Sequence, residues 1–342
     1  MTQTLAQRLA AYANTLTFDQ LTREAVHEAK RRFIDSFATA VGAMPSEAYH
    51  VAKKCALRVS GDPAASVLGG GRSSPEWATF VNGLLIRYLD FNDTYLAKEP
   101  AHPSDNLAPV LAVGEAVGAK GRDLIAAAVL AYEVQCRFCD AASLRQYGVD
   151  HVTYGAISSA VAAGRLMNLD VPKLTHAVGI AGVCNVALRQ TRSGELSEWK
   201  GCAFANAARN GVFAATLAAD GLSGPAPIFE GDLGFFRLVA REMFVPAPFG
   251  GEAGNADGFM INKTYIKFWP ARSAPRRRAW PRTPRCGRRW RTRTPSTRSA
   301  RRTASAAEPR CTRPPGRRRG PVSPRRGAST CPRRLPRRSP QR

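Results

Sequence analysis

Two acids, a hydroxyl and a histidine stand within thirteen residues of one another: Asp90, Asp93, Thr94 and His102. They occupy residues 89–105, just after an apolar helical run. Pro100 and Pro103 bracket the histidine and keep it out of a helix interior. A histidine titrates near neutral pH, so it can take or give a proton, and a carboxylate beside it can orient or oppose it. Polar groups on a short, stiffened loop after a helix suit an active site. The plainer alternative is a helix end running into a solvated turn. Further along, His151 lies in the polar turn Gly148-Val-Asp-His, and Arg192 and Lys200 lie in a loop with two glycines that leads into a helix. A cation at a helix start opposes the macrodipole. Lys200 is accounted for there if it faces an anionic ligand, the alternative being a solvated loop.

These residues need elements to carry them. Residues 4–15, 18–42 and 47–60 read as helices. In the second, Ala25, Ala29, Phe33, Phe37 and Val41 recur every four residues with charges between them, which predicts an amphipathic helix with that apolar face inward. Ser74-Pro75-Glu76 starts a helix with a capping serine and a proline at the first helical position. It runs to Leu89 and delivers Asp90–Thr94. Helices follow over 106–119, 123–142, 152–168, 171–187 and 200–220, many rich in Gly and Ala, which predicts a close-packed bundle. A short strand is expected at 65–68, and 221–234 reads as a turn-rich loop. Residues 261–270 carry β-branched and aromatic side chains and read as a strand with Lys263 and Lys267 on one face. Gly69-Gly70-Gly71 lacks a following Gly-Lys-Ser/Thr and reads as a turn. Cys136 and Cys139 lack the second pair a zinc site needs, and read as buried thiols.

Of the 342 residues, the last 71, from Arg272, hold 25 arginines against the single acid Glu308, which accounts for the whole formal charge of +24. Residues 1–271 are neutral, with 25 basic and 25 acidic side chains. That part is long enough for a sizeable core. It has no apolar run near the roughly 20 residues of a membrane span and no signal-peptide pattern. Its five scattered cysteines make no disulfide framework and suit a reducing cytoplasm.

Several stretches together resemble the MmgE/PrpD family, most closely its 2-methylcitrate dehydratase branch. They are Asn82-Gly83 through Arg87-Tyr-Leu-Asp90-Phe-Asn-Asp93-Thr94, then His102-Pro-Ser-Asp-Asn106 and Gly148-Val-Asp-His151-Val. Arg192-Ser-Gly-Glu-Leu-Ser-Glu-Trp-Lys200-Gly, Asn206-Ala-Ala-Arg-Asn210-Gly, Phe229-Glu-Gly and Ile266-Lys267-Phe-Trp-Pro270 follow in the same order. The resemblance implies a mainly α fold: an all-helical domain over 1–248 and, over 249–271, the start of an α+β lid. It implies dehydration or related chemistry on small polycarboxylates, with no cofactor or metal, in a homodimer. By position it implies Asp90, Asp93, His102, His151 and Lys200 as catalytic residues, and Thr94, Arg192 and Lys267 as substrate-binding residues. Dehydration needs a base for a carbon-bound proton, an acid for the leaving hydroxyl and cations for the enolate-like charge. His102 is the expected acid/base group, with Asp93 orienting it or acting as its opposite partner, and Lys200, Lys267 and Arg192 holding carboxylates. Within the same fold, cis-aconitate decarboxylation and imino-acid epimerisation are alternatives.

The resemblance stops at Pro270-Ala271. From Arg272 onward there are 12 prolines among the arginines and no hydrophobic period, so the segment reads as disordered. Two readings account for it. GC-rich coding sequence read out of frame gives this composition, and the change in the middle of a family motif favours that reading; the expected product is then a dehydratase impaired by loss of its lid. A genuine basic arm would instead bind nucleic acid or an acidic surface.

Overall fold

Helix starts are written locally. The computed structural model describes residues 3–268, and α1 (Leu5–Thr15) opens on Thr4, whose side chain and that of Gln7 cap one another's backbone reciprocally. Thr22, Ser46, Ser74 and Asp170 each accept a backbone N–H in the first turn of α2 (Arg23–Ala43), α3 (Glu47–Ala56), α4 (Pro75–Tyr88) and α8 (Val171–Cys184). Each such cap contributes about 1 kcal/mol to its helix. The remaining helices are α5 (Leu107–Ala116), α6 (Gly121–Ala141), α7 (Val152–Leu166) and α9 (Trp199–Ala219). A two-residue antiparallel ladder, β1 (Ala65–Ser66) with β2 (Arg72–Ser73), pairs Ala65 with Ser73 across the triple-glycine turn. The architecture is mainly α, as the sequence indicates.

The core is centred on α9, which packs along both α4 and α7. Small residues permit this. A Cβ at Gly211 of α9 would lie 2.6 Å from the carbonyl oxygen of Ala156 in α7, closer than atoms can approach. Helix α6 packs on α7 and is buried from Ala126 to Cys139, including Cys136 and Cys139, which are free thiols as expected.

Two readings of the sequence are corrected. Helix α2 does bury Ala25 and Ala29, but Phe37 is 40 % and Val41 62 % exposed; Arg32, Ser36, Thr39 and Ala40 turn inward instead. A four-residue repeat gains about 40° per step on a 3.6-residue helix, so the stripe spirals off the core. The strand expected from residue 261 is absent among the described residues. Met260–Lys263 is a 3-10 turn, and Tyr265 makes one isolated antiparallel bridge with Thr94. Lys263 pairs with Asp257 at the surface, whereas Lys267 is buried beside Asp90, so the two do not share a face. The last residues of that expected strand, and the Arg- and Pro-rich tail, lie outside the described residues. The described part of the expected lid segment, 249–268, packs on the helices: Gly250 donates to Oε2 of the buried Glu133 carboxylate at 2.9 Å, and Met260 donates to its Oε1.

Candidate active site

The last turn of α4 is buried, and Arg87 with it, at 2 % exposure. A buried guanidinium needs an anionic partner. Arg87 finds one three residues on, where its Nη1 lies 2.7 Å from Oδ1 of Asp90. Asp90 has φ +53°, the left-handed conformation that turns the chain out of the helix. Two further cations converge on it. Lys267 donates to its carbonyl at 2.8 Å and to Oδ1 at 3.2 Å, and Lys200, from the first turn of α9, lies 3.3 Å from Oδ2. Burial pushes the Asp90 carboxyl up, but Arg87, Lys267 and Lys200 together overcome it and hold the group well below the usual carboxylate range.

His102 sits behind this group, nearly inaccessible. Its Nδ1 is 2.7 Å from the main-chain carbonyl of Asp93, which assigns the ring proton to Nδ1 and leaves the lone pair on Nε2. Nε2 faces Asp90 Oδ1 at 3.8 Å, too far for a hydrogen bond. Burial, reinforced by Arg87, Lys267 and His151, lowers the His102 pKa well below that of free imidazole, so the ring is neutral. Burial and Arg87 also lower the Lys267 pKa, against the pull of Asp90; its Nζ stands 3.5 Å from His102 Nδ1.

The Asp93 carboxylate points away from His102. It accepts from the Ser104 amide at 2.9 Å and the Tyr132 hydroxyl at 2.8 Å, with Arg32 Nε at 3.5 Å. Its link to the histidine is therefore the backbone carbonyl. Thr94 donates its hydroxyl to the Ala101 carbonyl at 3.3 Å, and its backbone pairs with Tyr265, so it joins the loop to the Lys267 segment.

His151 ends the turn before α7, its ring centroid 6.0 Å from that of His102. Nδ1 is 2.9 Å from Asp150 Oδ1, and Arg192 Nε is 2.6 Å from Oδ2 of the same carboxylate. Burial pushes the His151 imidazole down to about 4 despite Asp150. Asp150 itself is raised by burial but held low by His151 and Arg192. Among the described residues, His151 Nε2, Arg192 Nη1 and Nη2, and Arg87 Nε and Nη2 are buried without a hydrogen-bond partner. Asp105 completes the cluster: Oδ1 accepts from Asn92 at 2.7 Å, and Oδ2 lies 3.7 Å from Arg87 Nε. Burial and the nearby Asp93 push its carboxyl up to about 7, against the pull of Arg87.

The structure thus gathers Asp90, His102, Lys200 and Lys267 in direct contact, with His151 and Arg192 beside them and Asp93 and Thr94 in the supporting loop. Arg87, Asp105 and Asp150 join them, although the sequence reading assigned them no role. All three lie inside the family-like motifs, and the three-residue spacing of Arg87 and Asp90 at a helix end is the available local signal. A cleft of about 350 Å³ opens beside the group, bounded by Arg87, Asp90, Lys200 and the loop of Leu196, Ser197 and Glu198. The cleft offers an anion Arg87 and Lys200, with the neutral imidazole of His102 buried behind Asp90.

The chain has relatives in sequence. Residues 7–244 match the MmgE/PrpD N-terminal domain, and the chain belongs to the MmgE/PrpD family. It is 33 % identical over 182 residues to 2-methylcitrate dehydratase of Cupriavidus necator, covering 49 % of this chain and 37 % of that protein. It is 29 % identical over 253 residues to cis-aconitate decarboxylase of Homo sapiens, covering 70 % of this chain and 51 % of the relative. It is 34 % identical over 128 residues to 2-methylcitrate dehydratase of Escherichia coli strain K12, covering 34 % and 26 %. The chain spans about half the length, or less, of these relatives. No helix among the described residues is long and apolar enough to cross a membrane.

Proposed function

We propose that this site binds a small hydroxy-tricarboxylate of the 2-methylcitrate type and eliminates water from it, as a hydro-lyase working by acid/base catalysis. The observation that carries the proposal is a neutral His102, its Nε2 lone pair free, set among Arg87, Arg192, Lys200 and Lys267. Substrate carboxylates pair with Arg192 and Arg87, which retain unpartnered guanidinium nitrogens, and with Lys200 at the cleft. His102 Nε2 takes the proton from the carbon next to a carboxylate, and the electron pair spreads into that carboxylate as an enolate-like charge. Lys267 stabilises this charge, its ammonium being nearly dry and therefore effective. The pair then forms the carbon–carbon double bond as the C–O bond breaks, and the imidazolium returns its proton to the departing hydroxide, which leaves as water. Asp90 holds the two lysines and Arg87 in place, and His151 lines the far side of His102.

A second reading, decarboxylation of cis-aconitate, is supported by the human relative that matches 70 % of this chain. The same cations would stabilise the carbanion left by departing carbon dioxide. The proposal includes the helical domain over 1–248 with a lid starting at 249, and a cytoplasmic homodimer. Incubating the full chain with each acid and analysing products by NMR distinguishes the two reactions. Formation of an unsaturated tricarboxylate from 2-methylcitrate supports the first; carbon dioxide and an unsaturated dicarboxylate from cis-aconitate support the second; turnover of neither overturns both. Nucleic-acid binding rests on the tail, which lies outside the described residues.

A further inference from the structure

Helix α2 turns a guanidinium inward where its sequence repeat led us to expect an apolar face. Arg32 is 2 % exposed, and a buried arginine is strongly unfavourable unless it is well paired. Its partners come from three parts of the chain. Nη1 lies 2.9 Å from Oε2 of Glu28, one turn back on α2. Nε donates to Thr264 Oγ1 at 3.0 Å and Nη2 to the Thr264 carbonyl at 2.8 Å. Nε also lies 3.5 Å from Asp93 Oδ2, and among the described residues no other cation is within 4 Å of that carboxylate. Arg32 does not border the cleft beside Asp90 and Lys200. It joins two segments that do bear on the site. One is the loop whose Asp93 carbonyl holds His102. The other begins at Thr264, pairs Tyr265 with Thr94 through two backbone hydrogen bonds, and ends on Lys267. The fork on Thr264 fixes the start of a three-residue reach to Lys267, whose ammonium contacts Asp90 and stands 3.5 Å from His102.

We propose that Arg32 is a positioning residue: it clamps the Lys267 segment to the Asp93 loop and so sets the ammonium against His102 and Asp90. The consequence for turnover rests on the function proposed above; the clamp itself does not. Hydrogen exchange and steady-state kinetics on the full chain test the two separately, using Arg32→Ala and, as a milder variant, Thr264→Val, which removes the Oγ1 acceptor together with its own donation to the Ile261 carbonyl but keeps the Thr264 carbonyl that Arg32 Nη2 holds. In Arg32→Ala, the Thr94 and Tyr265 amides should exchange at least tenfold faster, while the interior amides of α7 and α9 keep their rates. Thr264→Val should give a smaller change at the same two amides. With 2-methylcitrate as substrate, Arg32→Ala should lose at least tenfold in kcat with KM within about threefold, because the Lys267 contact matters most as charge develops. Added guanidinium ion should restore part of kcat. Unchanged exchange at Tyr265 in both variants overturns the clamp. An equal rise across α7 and α9 also overturns it, since Arg32 would then only stabilise the fold. If the wild-type chain turns over nothing, the functional reading falls, and the exchange data still decide the clamp.

Discussion

His151 is buried as a neutral imidazole, and that has a measurable cost in acid. Its pKa falls from the ordinary 6.5 to about 4, with burial outweighing the attraction of Asp150. Between those two values the unfolded chain binds a proton that the native protein refuses. Acid therefore favours unfolding across that window, and stability rises with pH through it. At pH 5 the unfolded histidine is nearly all protonated and the native one only about a tenth so, which makes this contribution about 2 kcal/mol; at pH 7.5 it is about 0.1 kcal/mol. Replacing His151 by Gln removes the titration. Urea unfolding of both proteins at the two pH values gives the difference directly, because Asp105 and the surface carboxylates titrate in both and largely cancel. The His151→Gln variant should gain about 2 kcal/mol relative to wild type on going from pH 7.5 to pH 5, whatever the cost of the substitution itself at neutral pH. A relative stability that stays constant, or that moves against the variant in acid, would refute the burial of a neutral ring here.

Other expectations follow from the same geometry. His102→Gln should lower kcat on 2-methylcitrate by roughly 10² to 10⁴ while calorimetry shows the acid still binding, since the cations remain. Lys200→Met should weaken binding of that acid roughly tenfold or more, and flatten its dependence on salt, because a partly exposed charge-assisted contact is lost. Gly211→Ala should destabilise the fold by about 1 to 3 kcal/mol in urea titrations, because the added methyl meets the Ala156 carbonyl at 2.6 Å.

Much of the helical frame was legible because its signals are local. Ser74-Pro75, the small residues of α7 and α9 and the apolar run of α4 each dictate their own conformation, and the structure places those helices within a few residues of the expected bounds. Asp90 and His102 were legible as candidates from residue type and spacing, and Lys200 from its place at a helix start; that they meet Lys267 was legible only through motif order, since 177 residues separate Asp90 from Lys267. What stayed hidden depends on tertiary partners. Arg87 lies on an otherwise apolar turn; its spacing from Asp90 is a local hint, but nothing local shows that Asp105 will lie beside it. Arg32 was displaced by an apolar stripe whose later members, Phe37 and Val41, drift outward. The segment from 261 has strand-like side chains but makes one bridge, to Thr94, because its course is set by Arg32, Asp90 and Glu133 rather than by a neighbouring strand.

The central claim is that His102 moves a proton at a carbon next to a carboxylate. Its most direct test is to follow 2-methylcitrate and its dehydration product by NMR in heavy water with the full chain. An unsaturated tricarboxylate should form, and deuterium should enter the substrate at the carbon that loses its proton, both abolished by His102→Gln. Product and deuterium incorporation that persist unchanged in His102→Gln would contradict it.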